Sequence, residues 1–518
     1  MMDAVDASLR GLEPTTLWQQ FDALRKIPRA SLNEEGVRRY LRGLSDVQGW
    51  QCLEDGAGNC VVKVPGRGRG VKSPPLAIQG HMDMICEKLG SVEHDFAKDP
   101  ISLQRTTRTI DGVERQVLMA QGTTLGADNG IGVCTALALA LEPGLDHPPL
   151  ELVMTADEET GMTGAANLDG TLVTARRLIN LDAEEQGSIY LSCAGGRDFT
   201  ARWLVEREAV GHDDQPLRII VGGLKGGHSG VDIHLKRGNA IKLLLEILSD
   251  PRVELDGVRV ASFDGGGRDN VIPRSADLRL WCVRTRVRAL KEKIAEVAKT
   301  VAEGLGPADS GFFVRVEGLD AKECPLPLES STMRCIMKVM GKIPDGVLAW
   351  SQVIDGLVET STNLGVVETL AGELRIVSLT RSSKAGAIEA VQERMERAVE
   401  AAGGTVEFCG GYPGWEADTG GSLLKQAVAS YERLFAAKPA LKAIHAGLEC
   451  GILGDRIPGA EMISVGPELR NVHTPDEALV LDSVGPYWTF VSNLVRDLCE
   501  ARDNRPEQSL AGTAGRAR

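Results

Sequence analysis

The sequence lacks the marks of several protein classes. Its 11 cysteines are odd in number and form no Cys-x-x-Cys pair, which disfavours a disulfide framework, a zinc finger and a thioredoxin-like site. No segment approaches the roughly 18 apolar residues that span a bilayer, because the longest candidate, residues 133–141, is interrupted by Thr135. A His-Glu-x-x-His motif is also missing, which disfavours a one-zinc protease of the helical type.

An excess of positive charge is missing as well. The formal net charge is -14 and the sequence pI is about 5.3. An acidic surface attracts neither nucleic acid nor anionic membranes, so we expect neither as a partner. Residues 1–11 contain no apolar core, so we expect no secretory signal there. Together with the scattered cysteines, this favours a cytoplasmic protein with free thiols.

The first part of the chain repeats one pattern, in which an apolar strand is followed by a loop with acidic or histidine residues. The pattern is typical of an α/β sheet, whose sites lie beyond the carboxyl ends of the strands. It occurs at residues 75–78 before His81 and Asp83, at residues 150–155 before Glu158 and Glu159, and at residues 178–181 before Asp182. Between the first two lies the loop 123–132, in which Asp128 precedes a helix to Leu141.

From about Ser192 to Trp415 the acidic residues no longer follow strand ends, so we interpret this stretch as an inserted α/β unit. It contains predicted strands at residues 217–221, 374–380 and 405–409 and predicted helices at residues 238–248 and 385–402. The first pattern then returns, with a strand at residues 460–465 and the loop that carries His473. The length of 518 residues is enough for roughly two to four domains. We therefore predict a catalytic domain at 1–191 and 416–503, an insertion at 192–415 and a disordered tail at 504–518.

Five residues near predicted strand ends could bind metal: His81, Asp128, Glu159, Asp182 and His473. Imidazole and carboxylate groups are the ligands that zinc takes in catalytic sites, where one position stays open for water. Each residue alone could be a surface group, and Asp128 could be a helix cap, but the five together favour a metal site. If two ions share one carboxylate, Asp128 is the candidate bridge. Glu158, beside a candidate ligand, could then act as general base.

Two further residues have a more specific interpretation. Asp83 lies two residues after His81, and side chains repeat with period two in a strand, so its carboxylate could hold the imidazole nitrogen that faces away from the metal. His228 lies in Gly227-His228-Ser229-Gly230, which is one residue short of a nucleophile elbow. This disfavours a serine hydrolase, and the sequence pattern alone assigns His228 no role.

The same segments resemble a known family. The chain is similar to the co-catalytic dizinc exopeptidases that include carnosinases, glutamate carboxypeptidases and aminoacylases, and among them to the bacterial aminoacyl-histidine dipeptidases. The likeness extends from about residue 17 to residue 498. It is carried by Gly80-His81-Met82-Asp83-Met84, residues 123–132, Glu158-Glu159, Ile179-Asn180-Leu181-Asp182, Cys193-Ala194-Gly195-Gly196, residues 223–230, residues 444–451 and His473-Thr474-Pro475-Asp476-Glu477.

The resemblance implies a catalytic domain with a central mixed sheet flanked by helices and an inserted α+β domain that forms a lid and a dimer interface. It also implies two Zn²⁺ ions, which Mn²⁺ or Co²⁺ could replace. The implied ligands are His81, Asp128 and Asp182 for one ion and Asp128, Glu159 and His473 for the other. Asp83 would orient His81, and Glu158 would be the base for a water that bridges the two ions. The peptide bond between Asp128 and Asn129 is expected to be cis.

For the inserted domain, the resemblance implies that His228 enters the active site of the partner subunit of a homodimer and stabilises the oxyanion there. Arg381 would bind the free carboxylate of the substrate. Residues 307–345 depart from the family pattern, which leaves the shape of the lid and the substrate preference open.

The function that follows is zinc-dependent hydrolysis of Xaa-His and related dipeptides such as β-Ala-His. An amidohydrolase or deacylase of N-acyl amino acids is the alternative within enzymes. A third possibility is a metal-binding regulatory protein that has lost turnover. Such a protein should also have lost Glu158 or a candidate ligand, and this chain retains them.

Overall fold

The computed structural model describes residues 5–352, 354 and 356–499, so the predicted tail at 504–518 lies outside the described residues. The chain divides into two compact units. The first contains the described parts of Met1–Ile189, Thr419–Ala440 and Arg456–Arg518, and the second contains those of Tyr190–Asp418 and Leu441–Asp455. The domain boundaries derived from the sequence stay a prediction, and they differ most from these units at Leu441–Asp455.

Helices and strands both occur along the whole described chain. The helices are α1 (Thr15–Leu24), α2 (Glu35–Gln48), α3 (Ala127–Leu141), α4 (Thr163–Ala166), α5 (Ala240–Ser249), α6 (Val287–Glu303), α7 (Ser330–Lys342), α8 (Ala387–Glu400), α9 (Ser422–Phe435), α10 (Glu449–Arg456) and α11 (Leu481–Asp497). The strands are β1 (Gln51–Glu54), β2 (Cys60–Val64), β3 (Leu76–His81), β4 (Leu103–Ile110), β5 (Val113–Ala120), β6 (Leu150–Thr155), β7 (Arg177–Asn180), β8 (Ser188–Cys193), β9 (Gly195–Leu204), β10 (Asp214–Gly222), β11 (Gly227–His228), β12 (Val258–Gly266), β13 (Val271–Ile272), β14 (Ala276–Val283), β15 (Phe313–Gly318), β16 (Gly346–Trp350), β17 (Val358–Thr369), β18 (Glu373–Ser382), β19 (Thr405–Tyr412), β20 (Ala440–Ile444), β21 (Glu461–Ser464), β22 (Leu469–Arg470) and β23 (Ala478–Val480).

The first unit is built on a mixed sheet in which strands lie in the order β1-β2-β6-β3-β7-β21. Strand β3 is parallel to both β6 and β7, and β21 is parallel to β7, whereas β2 is antiparallel to β6. Every residue of β3 and β6 is buried, as expected for parallel strands covered on both faces. The predicted mixed sheet flanked by helices is confirmed.

Helix α3 packs directly on this sheet. It is apolar on all sides, and all residues from Asn129 to Ala140 are buried, which is typical of a helix inside a core. It contacts α1, β3 and β6. A Cβ atom at Gly80 would lie 2.3 Å from Oδ1 of Asn129, so only glycine permits this close approach of β3 and α3.

The first unit also contains an antiparallel sheet, β22-β23-β5-β4, which the sequence analysis did not predict. Strands β4 and β5 form a hairpin whose turn, Asp111-Gly112, has φ angles of 50° and 80°. An Asp-Gly pair is the usual residue choice for such a turn, so the signal was present in the sequence. Pairing of β23 with β5 fixes the end of the loop that carries His473.

The second unit is an antiparallel sheet in the order β15-β10-β14-β12-β17-β18-β9-β19, with β16 added to β17. Helices α5, α6, α7 and α8 contact its strands, and side chains such as Phe199, Leu244 and Ile294 form the core. A short ladder of β11 and β13 positions His228.

Two expectations from composition can be compared with the structure. In the part of the chain that the structure describes, none of the 11 cysteines forms a disulfide bond. Among the described residues, helices that combine the length and the apolarity needed to cross a membrane are absent.

Candidate active site

Three neighbouring parallel strands of the first unit end at the same edge of the sheet. His81 is the last residue of β3, Glu158 and Glu159 follow the end of β6, and Asp182 lies two residues beyond β7. Because parallel strands direct their carboxyl ends to one edge, these side chains converge although they are far apart in sequence.

Asp128 joins them from the start of α3. The loop before it is held by the carboxylate of Glu477, which accepts hydrogen bonds from the backbone N–H groups of Leu125 (2.8 Å), Gly126 (3.0 Å), Ala127 (2.8 Å) and Asp128 (3.3 Å). The peptide bond between Asp128 and Asn129 is cis, as expected from the resemblance.

The carboxylate of Asp128 lies between two histidines. Its Oδ1 atom is 3.1 Å from Nε2 of His81, and its Oδ2 atom is 3.0 Å from Nε2 of His473. Asp182 lies on the first side, with Oδ1 3.5 Å from Nε2 of His81. Glu159 lies on the other side, with Oε2 3.0 Å from Nε2 of His473. The structure thus brings together all five residues that the sequence analysis selected as metal ligands.

The chemistry of this group fits a metal ion. The ligand atoms of His81, Asp128 and Glu159 all lie within 4.8 Å of one another and form a possible metal site. The Oε1 atom of Glu159 is buried and has no hydrogen-bond partner among the described residues. A buried carboxylate oxygen without a donor is costly unless a cation compensates it.

The pKa values of several of the candidate ligands also favour a bound cation. Burial opposes a charged ring at His81, but the neighbouring carboxylates outweigh it and raise its pKa well above the usual value. Hydrogen bonds to Asp128 and Glu159 raise the pKa of His473 to about 11. Burial raises the pKa of Asp182 to about 6. In the metal-free protein, protons on the imidazoles therefore compensate the carboxylates, and a bound cation would replace those protons.

Asp83 is completely buried beneath His81. Its Oδ1 atom lies 3.3 Å from Nδ1 of His81, the ring nitrogen that faces away from Asp128. The same carboxylate accepts hydrogen bonds from the backbone N–H groups of Glu158 (3.1 Å) and Glu159 (3.2 Å). Burial would raise the pKa of Asp83, but contact with His81 outweighs it and lowers the pKa to about 2.

Two residues that support the site were missed by the sequence analysis. Glu477 belongs to the motif that begins at His473 but was assigned no role. Arg29 is 4% exposed, and its guanidinium donates to the carbonyl oxygens of Met82 (3.0 Å), Asp83 (2.7 Å) and Gly126. It joins the loop after β3 to the loop before α3. Neither role has a local sequence signal, because both residues bond to backbone groups distant in the chain.

His228 and Arg381 lie in the second unit. The Nδ1 atom of His228 accepts hydrogen bonds from the backbone N–H groups of Gly230 (3.2 Å) and Val231 (3.1 Å). A ring nitrogen that accepts carries no proton, so the proton of the neutral ring is on Nε2. Burial and the positive charge of Arg381 lower the pKa of His228, which leaves a neutral ring with one donor.

Arg381 supplies the positive charge near His228 in the second unit. It is 5% exposed, and its Nη1 atom donates to the hydroxyl of Tyr412 at 2.7 Å. Its Nε atom is buried and has no hydrogen-bond partner among the described residues. His445, whose Nε2 lies 2.7 Å from Oγ of Ser361, belongs to the same environment. Burial and Arg381 lower the pKa of His445 to about 3.

Comparison with known proteins identifies the family. The sequence profile of peptidase family M20/M25/M40 matches residues 77–497, which is most of the chain. The chain belongs to this peptidase family. The match includes both segments of the first unit that contain the candidate ligands, and it extends through the second unit.

Relatives of this peptidase agree with the assignment. It is 36% identical to the cytosol non-specific dipeptidase of Escherichia coli K12 over 492 residues, which cover 95% of this chain and 99% of that protein. Its structure matches that of an aminoacylhistidine dipeptidase from Vibrio alginolyticus with a TM-score of 0.85 at 33% identity, covering 94% and 97% of the two chains. A tripeptidase from Staphylococcus aureus matches with a TM-score of 0.52 at 15% identity over 95% of this chain and all of that one, which shows the fold alone.

Proposed function

We propose that this protein is a dipeptidase that uses two divalent metal ions and that these ions are Zn²⁺. The observation that carries the proposal is the position of Asp128, whose two carboxylate oxygens face His81 at 3.1 Å and His473 at 3.0 Å. A carboxylate placed in this way can bind two ions at once, and Mn²⁺ or Co²⁺ would accept the same ligands.

The remaining ligands divide between the two sides of Asp128. Asp182, near His81, completes one ligand set, and Glu159, near His473, completes the other. When bound, the ions supply Lewis acidity that polarises the scissile carbonyl and lowers the pKa of water.

In the proposal, Glu158 is the general base. It takes a proton from the attacking water and gives it to the amine that leaves. Its support in the structure is the hydrogen bond of its backbone N–H to Asp83, the carboxylate that also faces His81. Asp83 thus orients both the imidazole and the turn that carries the base, and does not itself bind metal.

The second unit contributes two groups to the proposed reaction. His228 donates its Nε2 proton in a hydrogen bond to the developing oxyanion, a contribution of about 3–4 kcal/mol for one such donor. Arg381 binds the free carboxylate of the dipeptide, since its buried Nε is an unused donor and a guanidinium suits a two-point contact with a carboxylate.

The proposed substrates are Xaa-His and related dipeptides, including β-Ala-His. The names of both dipeptidase relatives support dipeptides as substrates, and the name of the Vibrio alginolyticus protein supports the Xaa-His class. The cytosolic name of the Escherichia coli relative likewise supports a cytoplasmic location. The test is an assay of zinc-loaded protein with β-Ala-His, with dipeptides that lack histidine and with N-acetyl amino acids. We expect hydrolysis of dipeptides, with preference for a C-terminal histidine.

Hydrolysis of N-acetyl amino acids alone would identify a deacylase instead. Metal binding without hydrolysis of any of these compounds would contradict the dipeptidase proposal and favour the regulatory homologue.

We also propose a homodimer in which His228 acts in the active site of the partner subunit. Mixing His228→Ala protein with Glu158→Ala protein, each strongly reduced in activity, should restore part of the activity, because some mixed dimers contain one intact site. Co-expression of the two tagged variants provides those dimers, and each variant alone is the control. Absence of any recovered activity in purified mixed dimers would contradict a site shared between subunits.

A further inference from the structure

The segment 225–238, which carries His228, is closed at both ends by one buried carboxylate. Asp309 is 2% exposed. Its Oδ1 atom accepts a hydrogen bond from the backbone N–H of Lys225 at 2.8 Å, and its Oδ2 atom accepts one from the backbone N–H of Gly238 at 2.7 Å. Both oxygens of the side chain are therefore used to hold the two ends of this segment together.

Asp309 is itself firmly placed. It ends the 3₁₀ turn Pro307–Asp309, which lies between α6 and β15. Its N–H donates to the carbonyl of Gly306 at 3.0 Å, and its carbonyl accepts from Phe312 at 2.9 Å. The chain just after the turn lies close to the chain just before the segment, because a Cβ atom at Gly223 would lie 1.9 Å from the carbonyl oxygen of Gly311.

Contacts inside the segment connect its ends to the imidazole. Arg237 donates to the carbonyl of Gly226 at 2.5 Å and forms an ion pair with Asp232 at 3.2 Å. The other oxygen of Asp232 accepts the backbone N–H of His228 at 3.0 Å. The turn that follows directs two N–H groups to Nδ1 of His228 and leaves Nε2 as the donor.

The middle of the segment has a separate support. His228 pairs with Val271 in the ladder of β11 and β13, and the N–H of Ser229 donates to the carbonyl of Asn270 at 2.9 Å. These contacts hold residues 227–229 but not the two ends. Without Asp309, the backbone N–H groups of Lys225 and Gly238 would lose their acceptor. The hydrogen bond from Arg237 to Gly226 would still join the two ends, so we expect the ends to loosen and His228 to shift while the ladder remains.

We propose that Asp309 is a positioning residue, which keeps the segment 225–238 closed so that His228 presents its Nε2 proton in one fixed place. The inference rests on the proposed role of His228 as a donor to the oxyanion. It also assigns a function to part of the region 307–345, where the sequence departs from the family pattern.

The test measures kcat, KM, metal content and thermal unfolding for Asp309→Ala, Asp309→Asn, His228→Ala and the double variant Asp309→Ala/His228→Ala. Asp309→Ala should lower kcat by about 10- to 100-fold, because a shift of a catalytic group by about 1 Å can cost 10²-fold. KM should change little, since the contact forms in the transition state. The kcat of Asp309→Asn should fall by less, because the amide oxygen of asparagine can still accept one of the two hydrogen bonds.

The double variant separates positioning from a general loss of structure. If Asp309 acts through His228, adding Asp309→Ala to His228→Ala should lower kcat by no more than about twofold further. The inference would be overturned if the fold-losses in kcat of the two single variants multiply in the double variant, or if Asp309→Ala keeps the wild-type kcat. If Asp309→Ala does not fold, the same cycle with Asp309→Asn decides the question.

Asp345→Asn is the matched control, because Asp345 is a carboxylate of the same region that contacts the start of α5. It accepts hydrogen bonds from the side chain of Asn239 and the N–H of Leu364, both at 2.9 Å, and does not bind Lys225. The kcat of Asp345→Asn should stay within about twofold of wild type. An equal loss of kcat in Asp345→Asn and Asp309→Asn would count against Asp309 as the specific support. If His228→Ala keeps the wild-type kcat, the proposed role of His228 fails and this inference fails with it.

Discussion

The two units place histidine in opposite electrostatic surroundings. In the first unit, His81 and His473 face carboxylates, and the pKa values of both rings are raised. In the second unit, His228 and His445 are partly or fully buried near Arg381, and the pKa values of both rings are lowered. The same side chain is thus charged in one unit and neutral in the other.

The difference indicates what each group can bind. Carboxylates with imidazoles form a site for cations, since a divalent ion compensates the negative charge and replaces the imidazole protons. Neutral imidazoles beside a guanidinium form a site for anions, because they add hydrogen-bond donors to a fixed positive charge. The proposed reaction uses both, the first for the metal ions and the second for the substrate carboxylate and the oxyanion.

The largest expected effect comes from removing the negative charge of Asp128, the proposed bridge between the two metal ions. Asp128→Asn should weaken metal binding by more than about 10²-fold, because even residues that only orient metal ligands contribute 10- to 100-fold. Activity should fall with metal content. Titration of the chelated protein with Zn²⁺ measures the affinity, and metal analysis after dialysis checks the occupancy.

The neighbouring glutamates provide the control for this prediction. Glu158→Gln should retain metal and lose about 10²- to 10⁴-fold in kcat, the usual contribution of a general base. Glu159→Gln should lose metal. The reverse result would mean that base and ligand have been exchanged between these two residues.

A smaller effect is expected when the cation of the second unit is changed. Arg381→Lys keeps the charge but removes the two-point contact, so KM for dipeptides should rise by about 10-fold, which corresponds to about 1.4 kcal/mol. Metal affinity should stay unchanged. Steady-state kinetics at saturating Zn²⁺ measure the effect, and an unchanged KM would remove Arg381 from the substrate site.

The last prediction compares the two units directly and concerns the pH dependence of the free energy of unfolding in chelated protein. The folded pKa of His473, about 11, lies above the unfolded value near 6.5, so its contribution to stability is complete below pH 6.5 and is lost as pH rises towards 11. The folded pKa of His445, about 3, lies below the unfolded value, so its contribution is complete above pH 6.5 and is lost as pH falls towards 3.

Thermal and urea unfolding of wild type, His473→Gln and His445→Gln across this pH range tests the signs. Wild-type protein should lose free energy of unfolding as the pH falls below 6.5, and His445→Gln should remove part of this loss, up to about 1.4 kcal/mol per pH unit for one proton. His473→Gln should reduce the loss of free energy of unfolding as the pH rises above 6.5. Curves that keep their wild-type slopes in both variants would contradict the electrostatic difference between the units.

Much of the first unit could be predicted from local pattern. The apolar strands that end at His81 and Thr155 were predicted because a buried parallel strand needs a continuous apolar run, and both are observed. The hairpin of β4 and β5 was missed, although Asp111-Gly112 is a strong turn signal, because its strands carry many exposed polar residues.

The candidate ligands could be selected from the sequence, and their roles stay a prediction, but their grouping required the fold. His81 and Asp182 follow neighbouring strands, so parallel pairing explains why they meet. His473 comes from a loop between β22 and β23, whose position depends on pairing of β23 with β5. The roles of Glu477 and Asp309 have no local signal, since each carboxylate binds backbone N–H groups distant in the chain.

The sequence by itself determined the types of residue available for chemistry, the strands that deliver several of them and the family to which the pattern belongs. These follow from local periodicity and from motifs that a short segment carries. The tertiary structure alone decided which oxygen of Asp128 faces which histidine, which nitrogen of His228 keeps its proton, and which buried carboxylates hold the loops in place. Each of these depends on distances and burial between residues that are remote in sequence, and local pattern contains no information about them.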